Sequence, residues 1–241
     1  MLSAMAKFEI KNLIREKMTM VMLVYPLVLG GIGKYAIDTG VVEGQALGVI
    51  AMMLALIAGF SYGAMAGFSL LDDRDDQVFA SIQISPISLS LYIWFKILFV
   101  YVLSVLASFF IIWYTGAINM SSGEILMVSI LSSLQVPIVA LLINAFANNK
   151  VEGFVTMKAT GFLLLFPVGG FFFLDAREWL FSMAPAYWAA KALQYAMVRL
   201  HIDAGIVTMN LTFYQYLSIG ILYNLLLIAA VYKIFKKKNN I

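Results

Sequence analysis

Six stretches of this chain are apolar for long enough to cross a lipid bilayer, and that limits what it can become. A hydrocarbon core about 30 Å thick takes about 20 helical residues to span. The stretches fall at 18–37, within 44–71, 97–118 and 125–147, at 154–174, and within 211–232. In lipid every backbone polar group must be satisfied inside the protein, so only helices and closed barrels cross. Runs this long and this uniformly apolar lack the alternation of barrel strands. The sequence therefore predicts an all-α integral membrane protein with six transmembrane helices in a single domain over 1–241. Only 12% of its residues are charged, against about a quarter in soluble domains, which leaves no room for a separate soluble domain.

The rarer residues exclude several chemistries. The chain has no cysteine, so it has neither disulfides nor a thiol nucleophile. A single histidine, His201, argues against a His-based metal site. The net charge of +3 bears on membrane topology and not on nucleic acid. Gly33-Lys34 resembles the end of a phosphate loop, but Val28 and Tyr35 stand where Gly and Ser/Thr are required. No other nucleotide site is apparent, so no cofactor is expected on this chain.

Near the N-terminus, Lys7, Glu9, Lys11, Arg15, Glu16 and Lys17 interleave with Leu2, Met5, Phe8, Ile10, Leu13 and Ile14. The spacing predicts an amphipathic helix over 2–16, within an interfacial segment 1–17, and not a signal peptide. With the N-terminus inside, Lys7, Lys11, Arg15, Lys17, Arg74, Lys96, Lys150, Lys158, Lys233, Lys236, Lys237 and Lys238 fall on the inner side. Lys34, Arg177, Lys191 and Arg199 fall outside. This bias predicts both termini in the cytoplasm, and the expected location is the inner (plasma) membrane of a prokaryote as a multi-pass protein. The 175–210 connection is then external. Pro185 can open a helix there. Tyr187, Trp188, Lys191, Gln194, Tyr195 and Arg199 predict that it lies amphipathically at the outer interface, after a short re-entrant segment over 170–179.

Small residues recur every four positions at Ala51, Ala55, Gly59, Gly63 and Gly67. Such a stripe lets another helix approach closely, within the bundle or between two copies. Gly59-Phe60-Ser61-Tyr62-Gly63 matches a nucleophile-elbow pattern that belongs on a strand-to-helix turn. Here it sits in a helical run, and an intramembrane serine protease using Ser61 stands as an alternative function. Gln135, Asn144 and Asn224 are polar at membrane depth, where interhelical hydrogen bonding competes with a functional role. Tyr25, Ser61, Tyr62 and Phe166 are candidate substrate contacts on the first, second and fifth spans. Packing or lipid contact is the competing reading for each aromatic.

The strongest break in the apolar pattern is Leu71-Asp72-Asp73-Arg74-Asp75-Asp76-Gln77-Val78, followed by an amphipathic segment, Ser85-Pro86-Ile87-Ser88, and Lys96. This loop, with Gly67-Phe68-Ser69-Leu70 ahead of it, resembles the segment after the second helix of ABC type-2 transporter permeases. The Asp-rich form is most similar to fluoroquinolone-export-like drug-efflux permeases. Many members carry Gly-Thr where Gln77-Val78 stand. The resemblance extends over most of the chain, including Ala184-Pro185-Ala186-Tyr187-Trp188 before the last span.

The resemblance implies a permease subunit of an ATP-driven exporter, pairing with a second permease copy and docking two cytoplasmic ABC ATPase subunits that carry ATP and Mg. Residues 72–90 are then the coupling loop. Asp72, Asp73, Asp75 and Asp76 would meet basic residues on the ATPase. Val78, Ile82 and Ile84 would enter its apolar groove, and Pro86 would set the turn into the third span. The implied cargo is an amphiphilic drug or related lipophilic compound moved by alternating access. A substrate-capturing uptake subunit is the other alternative, and it leaves the charged loop unexplained.

Overall fold

The computed structural model describes residues 7, 9–11, 15–84 and 86–239. Ten helices follow one another among them: α1 (Lys17–Asp38), α2 (Gly44–Asp75), α3 (Val78–Gln83), α4 (Leu89–Thr115), α5 (Ser122–Ser133), α6 (Gln135–Phe146), α7 (Lys150–Gly161), α8 (Leu165–Phe171), α9 (Tyr187–Asp203) and α10 (Phe213–Asn239). Among the described residues, six stretches are long and apolar enough to cross a membrane. They are α1, most of α2, α4, the pair α5–α6, the run from α7 through α8, and α10. There is no strand among the described residues. The chain is a multi-pass helical membrane protein.

Prolines account for the interruptions. Pro137 lacks an N–H and its ring crowds the carbonyl four residues back. The fourth span accordingly breaks at Leu134, whose N–H turns back to Leu131 (3.2 Å). Gln135 donates its side chain to the carbonyl of Ser132 (3.0 Å). Pro167 follows a 3-10 turn at Phe162–Leu164 in the same way. Pro26 lies inside α1 and leaves that helix continuous.

α2 is the central post, and its small residues explain why. A Cβ on Gly59 would lie 2.5 Å from the carbonyl oxygen of Ser132, one on Gly63 2.8 Å from Val139, and one on Gly67 2.9 Å from Ile143. The backbone of α2 therefore rests directly against α5 and α6, the close approach that small residues permit in lipid. Asn144 on α6 donates to the carbonyl of Gly67 (2.9 Å). Ser108 on α4 donates to that of Ala55 (3.0 Å), and Ser104 reaches Ser133 (2.9 Å). These hydroxyl and amide bonds pin α4, α5 and α6 around α2.

Most of the expected helix over 2–16 lies outside the described residues. Lys7, Glu9, Ile10, Lys11 and Arg15 are helical. Glu9 is buried and stands 3.7 Å from Lys96. Its end of the bundle also holds the 72–88 loop and Asn239, and is termed the base below.

The far end corrects one expectation. The first half of α9, predicted to lie on an outer interface, is buried within the bundle from Tyr187 to Gln194. Its polar residues face inward because they have partners there. Glu178, fully buried, is ion-paired with Lys191 and accepts from Tyr216 Oη (2.7 Å) and Asn210 Nδ2 (2.9 Å). Lys191 also donates to the carbonyl of Phe173 (2.9 Å) and to Gln194 Oε1 (2.6 Å). Burial pushes the Lys191 amine below its ordinary value, against the pull of Glu178. Polarity that reads as solvent contact is here an internal network joining the Ala176–Phe181 turn, α9 and α10.

Candidate functional site: a basal elbow and a lateral cleft

Successive residues on a helix point about 100° apart, so three in a row can reach three different neighbours. The end of α2 does this. Asp72 pairs with Lys150 at the start of α7 (2.8 Å), and Lys150 also lies 3.4 Å from Glu16. Asp73, buried, is ion-paired with Lys96 and accepts from Tyr92 Oη (2.9 Å), both on α4. Arg74 donates to the carbonyl of Ala147, just past α6, and to Asn239 Oδ1 on α10 (3.0 Å). Asn239 in turn donates to the carbonyl of Asn144 (3.1 Å).

Beyond Arg74 the chain turns sharply. Gln77 adopts φ +58°, a left-handed conformation that glycine takes without cost and that strains other residues. It ends α2 and starts α3. Gln77 is not a glycine, so this chain's own sequence carried no signal for the left-handed turn. Ser88 then caps α4, accepting from the N–H of Leu91 (3.3 Å).

The eight residues expected to meet an ATPase divide into two groups. Asp75, Asp76, Ile84 and Pro86 face outward, and Ile84 is 91% exposed. Asp72 and Asp73 are engaged within the chain, and Val78 and Ile82 pack against the bundle's own core. Sequence reasoning missed Arg74, Tyr92, Lys96, Glu9 and Asn239 as the residues that fix the elbow. Lys96 counted as a topological lysine and as the basic residue closing the loop motif, not as the partner of Asp73, although its place near the start of α4 opposite an acidic helix end was the available clue. Burial holds the Glu9 carboxyl above its ordinary value, with Lys96 pulling the other way.

Between α1, α2 and α7 lies an apolar cleft of about 430 Å³, lined by Tyr25, Phe60, Ser61, Met157 and Leu164 among others. The structure thus brings together Tyr25 and Ser61 of the four candidate substrate contacts. Tyr62 is buried and donates to the carbonyl of Leu23 on α1 (3.0 Å). Phe166 stands edge-on to Phe162 and Phe181, each at 6.2 Å, away from the cleft. Ser61 Oγ donates to the carbonyl of Met22 (3.1 Å). His201 lines a different cleft at the far end, so Ser61 has no histidine base beside it. Gly59, Gly63 and Gly67 face α5 and α6 and do not line the cleft.

Six lipid-length spans, a polar elbow braced at their base and an apolar side cleft describe a multi-pass helical membrane protein. The family model for fluoroquinolones export permease protein Rv2686c-like matches residues 9–232, and the chain belongs to that family. Two curated relatives are fluoroquinolones export permease proteins of Mycobacterium tuberculosis, MT2760 of strain CDC 1551 / Oshkosh and Rv2686c of strain ATCC 25618 / H37Rv. Each is 27% identical over 200 residues, spanning 79% of this chain and 72% of the relative. No solved structure matches.

Proposed function

We propose that this chain is the membrane-spanning subunit of an ATP-driven ABC exporter. It lies in the inner membrane with both termini cytoplasmic, pairs with a second permease copy and couples to ATPase subunits that hold ATP and Mg. The observation that carries the reading is the elbow. Its root is tied to α4, α7 and α10 by Asp73, Asp72 and Arg74, while Asp75, Asp76 and Ile84 project from it. A motor that grips the projecting part moves three spans at once, which is what alternating access requires. The exposed aspartates suit steering toward a basic groove edge, and Ile84 suits an apolar pocket. Export of a lipophilic or amphiphilic drug, such as the fluoroquinolones in the relatives' names, fits the apolar lateral cleft between α1, α2 and α7.

The test uses the complex with the ATPase encoded by the same source. Asp75→Asn, Ile84→Ser and Pro86→Ala should each assemble into folded permease, yet lower drug-stimulated ATP hydrolysis and export. Full coupling in all three variants would overturn the role given to the elbow. The chain has no cysteine, so a single Asp76→Cys substitution gives a unique label. Labelling by an impermeant maleimide in intact cells would overturn the orientation.

A further inference from the structure

At the end opposite the base, a cleft of about 900 Å³ opens between the start of α2, the α4–α5 connection and the second half of α9. Its apolar floor includes Leu47, Ile118, Phe171 and Met197. The floor is built against bare backbone: a Cβ on Gly48 would lie 2.7 Å from Phe171 Cζ and 3.4 Å from Met197 Sδ. On the wall stand Glu124 and Arg199 as an ion pair.

The two charges are not equally engaged. Glu124 closes the capping box of α5: its Oε2 accepts from the Ser121 N–H (2.9 Å) and Oγ (3.1 Å), and its Oε1 takes Arg199 Nη2. A guanidinium carries five N–H donors, and Arg199 places one nitrogen on Glu124 while its plane lies over the Phe213 ring, 5.7 Å from the centroid. Its side chain is 34% exposed. His201 lines the same cleft, while Tyr195 and the exposed Asp203 act on Arg199 through their charge without forming an ion pair with it among the described residues. The cleft therefore joins an apolar floor to a cation with donors left over.

We infer that this cleft binds a small amphiphile bearing a carboxylate. The apolar body lies on Leu47, Ile118, Phe171 and Met197, and the carboxylate takes the open edge of Arg199. Guanidinium–carboxylate pairing is the strong, directional contact that such a fork provides. The inference rests on the permease reading for its role, a site on the release side of the transporter, and on the cleft alone for its chemistry. An anionic lipid headgroup shares the charge, so the test separates the two sources.

The full chain is placed in phosphatidylcholine nanodiscs and photolabelled with trifluoromethyl-diazirinyl benzoate or with the matching neutral benzyl alcohol. Saturable benzoate labelling is expected on peptides holding Leu47, Ile118 or Met197, with little from the alcohol. Arg199→Gln should reduce it by about tenfold, in keeping with loss of a charged hydrogen bond. Glu124→Gln should keep or raise it, because it frees a further edge of Arg199. Leu47→Trp, which leaves the ion pair in place, should block labelling by filling the floor. Equal loss in Arg199→Gln and Glu124→Gln, or equal labelling by acid and alcohol, overturns the inference. Complete displacement of the label by added phosphatidylglycerol assigns the cleft to lipid and overturns it too. Cleft labelling without drug export by cells would instead strike the permease reading alone. Export without cleft labelling would strike only this site.

Discussion

Ser61 supplies the hydrogen bond that Pro26 takes away. Proline 26 has no N–H to offer the carbonyl four residues back, which is that of Met22. Ser61 Oγ donates to this same oxygen at 3.1 Å, and Tyr62 Oη donates to the next carbonyl, Leu23, at 3.0 Å. A proline inside a lipid-facing helix is tolerated where a neighbour satisfies the freed backbone group.

Ser61→Ala should therefore cost about 1 kcal/mol of stability in detergent. In a Pro26→Ala background the same change should cost less, since residue 26 then provides its own N–H. A double-mutant cycle on unfolding curves checks this. Equal costs in both backgrounds would show that the serine serves no such purpose.

Asp73 and Lys96 form a buried pair with Tyr92. Lys96→Met leaves two buried acids, Asp73 and Glu9, without their cation and should destabilise the base by about 3–5 kcal/mol, whereas Asp73→Asn leaves Lys96 beside Glu9 and should cost less. The double change should recover a large part of that. Thermal unfolding of the four proteins reads the result, and the double variant should still show weakened coupling because the elbow has lost its brace.

Gln77→Gly should be tolerated or mildly stabilising, because glycine relieves a left-handed conformation worth about 1–2 kcal/mol of strain in other residues. Gln77→Val, β-branched at φ +58°, should loosen the elbow. Protease cleavage within 76–88 should rise for the valine variant and not for the glycine one.

Two glycines in the membrane offer opposite outcomes. A Cβ on Gly59 meets the Ser132 carbonyl oxygen at 2.5 Å, whereas one on Gly31 meets nothing within 4 Å. Gly59→Ala should cost about 1–3 kcal/mol through overpacking, and Gly31→Ala should be neutral or better. Melting temperatures of the pair decide it.

Burial raises the Glu9 carboxyl above its ordinary value of 4.5. A raised folded-state value means that the folded form binds its proton more tightly than the unfolded form. The contribution of Glu9 to packing of residues 9–11 against the base is then fully present below about pH 4.5 and is lost as pH rises through the folded value. Amide hydrogen exchange at residues 9–11 should quicken from acid to neutral pH. Glu9→Gln should flatten that trend.

The spans were legible because apolar length is a local property of the chain. The elbow was legible as a break in that pattern. Partnership was not. Lys96 and Lys191 read as boundary cations, yet both are buried beside carboxylates, because the matching acids lie 23 and 13 positions away in sequence. The 187–196 segment carries the alternation of a surface helix, and only the presence of Glu178 and Tyr216 across from it turns that polarity inward. For the stripe at Gly59, Gly63 and Gly67 the sequence left open whether its neighbour belonged to this chain or another. The contacts to Ser132, Val139 and Ile143 put that neighbour in the same chain.

The last helix has one more implication. At 27 residues it is a rod about 40 Å long, and it is bolted at three heights. Asn239 holds Arg74 at the bottom, Asn224 holds the carbonyl of Pro185 midway (3.1 Å), and Tyr216 holds Glu178 near the top. If the elbow is gripped as proposed, a tug on its root would reach the cap at the other end through one continuous helix.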